Sequence, residues 1–107
     1  MPTSALVVFT TLASLEEARE FVHGLVADRL IACGTLLPAA TSLYRWEGQI
    51  REESEVVVVM KTDASRWDDL AAAVKDRHPY EVPELLALPV EQGLEGYVSW
   101  LTGEVVA

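Results

Sequence analysis

His78, Tyr80, Glu81 and Glu84 fall within the first seven residues of HPYEVPELLALPVEQG, residues 78–93, a stretch that also holds three prolines. An imidazole beside one or two carboxylates is a donor set for a borderline divalent ion, and Pro79 restricts the direction in which the chain presents the histidine. His78 is therefore the candidate metal-facing residue, with Glu81, Glu84 and the single cysteine, Cys33, as further candidate ligands. The spacing matches no compact motif such as HExxH, and a soft ion such as Cu(I) needs more than one sulfur ligand, so Cys33 alone makes no site. The same loop also has a mechanical reading. Its prolines stiffen a helix-to-strand connection, Tyr80 covers the core and the glutamates face water.

Three further side chains suit ligand or subunit contacts. Lys61 interrupts an apolar strand end, where a partly buried ammonium takes a carboxylate or an anion as partner. A cleft combining Lys61, Tyr80 and Trp46 would suit an anionic small molecule, with His78 beside it. Tyr44 and Trp46 are candidate interface anchors, since aromatic residues are enriched in buried contacts between subunits. His23 follows Val22 on a helical stretch and needs no functional role.

These residues have to be positioned by seven elements. ALVVFTT, residues 5–11, is a short β-branched run that suits a strand buried on both faces. Ser14 and Glu17 make a capping box, and Leu15, Ala18, Val22, Leu25, Val26 and Leu30 recur at helical spacing, predicting a helix over 15–30. From Cys33 to Trp46 the pattern turns β-like, and Pro38 marks an edge or a bulge because it has no N–H for the ladder. Glu47 and Gly48 mark a hairpin turn into QIREESEVVVVMKT, polar at its start and solidly apolar at VVVVM. Ser65 and Asp68 signal a second cap, Trp67, Leu70, Ala71 and Val74 form a second helical stripe, and Pro79 ends that helix near His78. Glu84 to Val90 reads as a fourth strand, and Leu94, Tyr97, Val98 and Leu101 as a closing helix. The order βαββαβα, with right-handed crossovers, predicts an α+β chain: a ferredoxin-like βαββαβ unit plus a C-terminal helix, with a long β2–β3 hairpin.

Composition narrows the function classes. At 107 residues the chain suits one domain, spanning 1–107, and half of it is hydrophobic, so a packed core is expected. Eight basic against seventeen acidic residues give a net charge of −9, which repels a phosphate backbone, and nucleic acid is not an expected partner. No apolar run approaches the ~20 residues of a membrane span, and the N-terminal stretch lacks the basic start of a secretory signal. One cysteine permits no internal disulfide, so the expected location is cytoplasmic.

TSLYRWEGQI at 41–50, VMKT at 59–62, HPYEVPELLALPVEQG at 78–93 and YVSW at 97–100 together resemble the CutA family of divalent-cation-tolerance proteins, in register from Ala5 to Leu101. The resemblance implies a ferredoxin-like subunit that assembles as a homotrimer, its hairpin lying across a neighbour, with a link to copper and other divalent cations held weakly. Where family members are proposed to bind copper through a cysteine near the end of strand one and a histidine pair before Pro-Tyr, this chain has Thr10, Arg77 and His78; only His78 keeps the ligand type. The leading expectation is a trimeric binding or assembly protein connected with metal tolerance and the response to metal ions. The alternative is a sensor of anionic small molecules with an inter-subunit cleft. No nucleophile, base and oxyanion donor recur in a pattern that would support an enzyme built on Cys33 or His78.

Overall fold

The computed structural model describes residues 2–106; Met1 and Ala107 lie outside the described residues. The chain order is β1 (Ala5–Leu12), α1 (Leu15–Ala27), β2 (Cys33–Trp46), β3 (Gln49–Asp63), a 3-10 turn (Ala64–Arg66), α2 (Trp67–Arg77), β4 (Leu86–Pro89) and α3 (Glu95–Val105). The four strands form one antiparallel sheet in the order β2-β3-β1-β4, the ferredoxin-like arrangement expected from the element order.

One face of the sheet is sealed. Val8 and Leu12 of β1, and Val56, Val58 and Met60 of β3, are buried against Ala18, Phe21, Val22 and Leu25 of α1 and Leu70 and Val74 of α2. Gly34 lets β2 reach this layer: a Cβ there would lie 2.6 Å from Val22 Cγ1, so only a hydrogen fits. Ser14 caps α1 by accepting from the Glu17 amide at 3.2 Å, and its hydroxyl lies at the same distance from the Glu17 carboxylate. The helix ends at Ala27 rather than at residue 30 because Arg29 takes a left-handed conformation (φ 57°), which turns the chain toward β2.

The second cap differs from expectation. Asp63, not Ser65, does the capping: its carboxylate accepts from the Ser65 amide at 3.0 Å and the Ser65 hydroxyl at 2.6 Å, and holds the 3-10 turn rather than α2. Asp68 instead lies in the first turn of α2, where its charge complements the helix N-terminus. α2 ends at Arg77, and His78 is already extended (ψ 133°) ahead of Pro79, as the proline requires. β4 is shorter than the predicted 84–90 because only Leu86–Pro89 pair with β1.

The hairpin is long and edge-bound. β2 is an edge strand, and the register shifts between Leu37 and Ala40, around Pro38, with Ala39 at φ 60°. Glu47 and Gly48 both have positive φ, 50° and 78°, and join Trp46 to Gln49 in a two-residue turn that matches the right-handed twist of the strands. The ribbon stretches the chain to 44 Å along its longest axis.

The other face of the sheet is only partly covered. Residues paired directly across antiparallel strands share a face, so Val7, Phe9, Val57, Val59, Lys61, Cys33, Leu86 and Leu88 all lie opposite α1 and α2. α3 crosses to this side and covers one end, packing Leu101 and Val105 on Ala5, Ala32 and Val90. Thr102 of α3 donates to Asp63, 3.4 Å away.

Candidate functional site

The proline-rich loop is folded back against the hairpin base. His78 is buried, with its ring edge-on to Phe21 (5.4 Å between centroids) and to Tyr80 (4.7 Å). Both of its nitrogens are engaged. Nε2 lies 2.8 Å from the Thr11 carbonyl, and Nδ1 accepts from the Tyr80 amide at 3.1 Å. A carbonyl can only accept and an amide can only donate, so the ring is the Nε2–H tautomer with no lone pair left over. This arrangement delivers Tyr80 onto β3, where its hydroxyl donates to Glu55 at 2.8 Å.

Around that pair lies a groove of about 580 Å³, lined by Ser42, Tyr44, Trp46, Arg51, Glu53, Glu55, Tyr80, Glu81 and Glu84 among others. Cross-strand pairing puts Ser42 beside Glu53 and Tyr44 beside Arg51 on the same open side of the ribbon. Glu55 is 8% exposed, a deeply placed carboxylate for a sheet residue. Its effect on the phenols is direct. Tyr80 is pushed well above the usual tyrosine range by desolvation and by the hydrogen bond and charge of Glu55, and Tyr44 is raised by desolvation and by Glu53.

The predicted ligand cleft does not assemble as a unit. Tyr80 and Trp46 share the groove, but Lys61 is six residues along β3 from Glu55, about 20 Å away at strand spacing. Lys61 meets α3 instead, its Nζ 5.8 Å from the centre of the Tyr97 ring, while the Tyr97 hydroxyl lies 3.9 Å from Cys33 Sγ. With four carboxylates and a single guanidinium, the groove is also the wrong sign for an anion. No sequence pattern marks Tyr97 or Glu55 as site residues.

The metal candidates separate in the same way. Cys33 pairs with Lys61 on the β ladder, whereas His78 bonds Thr11, which pairs with Val57, four residues and about 13 Å along the strand. Arg77 forms an ion pair with Asp28 at 2.7 Å, and Thr10 is fully buried with its hydroxyl unpartnered. Glu81 and Glu84 line the groove rather than face the His78 nitrogens. Among the described residues, no three His, Cys, Asp or Glu side chains converge as metal ligands. The residues present therefore do not fit a tightly bound copper ion at His78.

The comparisons with known proteins agree with this fold. Residues 6–104 match the family described as CutA1 divalent ion tolerance protein. The divalent-cation tolerance protein CutA of Escherichia coli K12 is 42% identical over 103 residues, covering 96% of this chain and 92% of that protein. Among solved structures, CutA from Xylella fastidiosa superposes with a TM-score of 0.93 at 35% identity, covering 96% of this chain and 99% of that one. The divalent cation tolerance protein from Thermus thermophilus does so with a TM-score of 0.91 at 40% identity, covering 94% and 98%. By sequence and by fold, the chain belongs to the CutA1 divalent ion tolerance family.

Proposed function

We propose that the chain acts as a homotrimeric, non-catalytic assembly protein in divalent-cation tolerance, working in the cytoplasm. The observation that carries this reading is the bare apolar band on the open face of the sheet. Leu37, Leu86 and Leu88 are 50%, 63% and 56% exposed there, next to half-buried Phe9, Val57 and Val59. The ribbon tip adds Leu43 and Ile50, at 65% and 70%, with Tyr44 and Trp46 on its other side. Contiguous apolar surface of this kind marks an interface, and an unpaired edge strand needs closing. Three copies in a ring satisfy both needs with one repeated contact, each ribbon docking on the next subunit.

A weakly held cation is compatible with this reading through exposed carboxylates such as Glu81 and Glu84, and the sign of the groove favours cations over the anionic ligand of the alternative sensor. Cys33 and His78 lie too far apart to act as nucleophile and base, which favours binding over catalysis. Sedimentation equilibrium at low micromolar concentration should return about three chains per particle, and Leu88→Glu should return fewer. A stable wild-type monomer overturns the reading.

A further inference from the structure

We draw no further inference here: the strongest candidate, the side-chain cluster of Cys33, Lys61, Tyr97 and Trp100 where α3 meets the open face of the sheet, rests on a lone cysteine beside a half-buried lysine on the face that the proposed assembly covers, and nothing among the described residues points to a ligand there.

Discussion

The two faces of this sheet are built from the same strands and nearly the same residue types, yet they end in opposite environments. Val8, Val58 and Met60 are fully buried under α1 and α2, while their immediate neighbours Val7, Val57 and Val59 stay half-covered, with Leu86 and Leu88 mostly exposed beside them. An antiparallel sheet with one wet face ordinarily alternates apolar with polar residues. The run VVVVM does not alternate, so the strand carries a composition suited to two covers where the single chain provides one. The missing alternation thus points to a second cover outside the chain. Within the chain, α3 covers only one end of this face, the acidic aromatic groove occupies the hairpin end, and the band between them remains bare.

The largest effect that tests this contrast belongs to the sealed face. Leu25 is fully buried in the core cluster, and Leu25→Ala should cost about 3 kcal/mol in urea denaturation, through lost burial and a residual cavity. Because the site lies wholly within one chain, the loss should be the same at every protein concentration. The next effect belongs to the groove. Tyr80→Phe removes the hydroxyl that donates to Glu55 and leaves a deeply placed carboxylate without its partner, at a cost of about 2 kcal/mol by the same measurement. A loss under about 0.5 kcal/mol would mean that water replaces the phenol freely and that Glu55 is less enclosed than its surroundings imply.

The fold is legible in the sequence because its signals are local. The capping box at Ser14, the turn at Glu47–Gly48, the stop at Pro79 and the bulge near Pro38 each depend on a few adjacent residues. The second cap misleads because Asp63 competes for the Ser65 amide from the strand side. The site is less legible because its contacts are distant in the chain. Tyr80 and Glu55 are 25 residues apart, and Cys33 and Tyr97 are 64 apart. Their meeting depends on strand register and on where α3 lands, which no local pattern encodes. His78 is indeed fixed ahead of its proline, but the reason for its placement is the backbone it bonds, Thr11 and Tyr80, and not an open coordination position.

A smaller effect sharpens the contrast from the open side. Leu88 is 56% exposed in the single chain, so Leu88→Ala should cost at most about 1 kcal/mol if nothing else covers it. If a neighbouring copy covers it, the cost should rise toward that of Leu25→Ala, and the urea midpoint should fall on dilution. Comparing the two variants across a roughly hundredfold range of concentration separates a face sealed within the chain from one sealed by assembly.

The smallest expected effect is at Asp63, where β3 ends and α3 takes over the cover of the open face. Burial pulls this carboxyl up, but hydrogen bonds from the Ser4 and Ser65 hydroxyls, the Ser65 amide and Thr102 outweigh it and hold the group below the ordinary aspartate value. A depressed folded-state value stabilises the fold fully above the unfolded value, ~3.9, and that stabilisation is lost as pH falls through the folded value. Urea midpoints of the wild type should therefore drop below about pH 4. Asp63→Asn should start from a lower midpoint at neutral pH and drop less steeply below pH ~4, because it has no proton to take up there. The acid loss should also be local. Amides of α3, tied to Asp63 through Thr102, should exchange sooner than those of α1, whose packing involves no such carboxylate. Equal acid loosening of α1 and α3 would show that the cover at this end of the open face is continuous with the sealed core, and would remove the distinction between the two faces there.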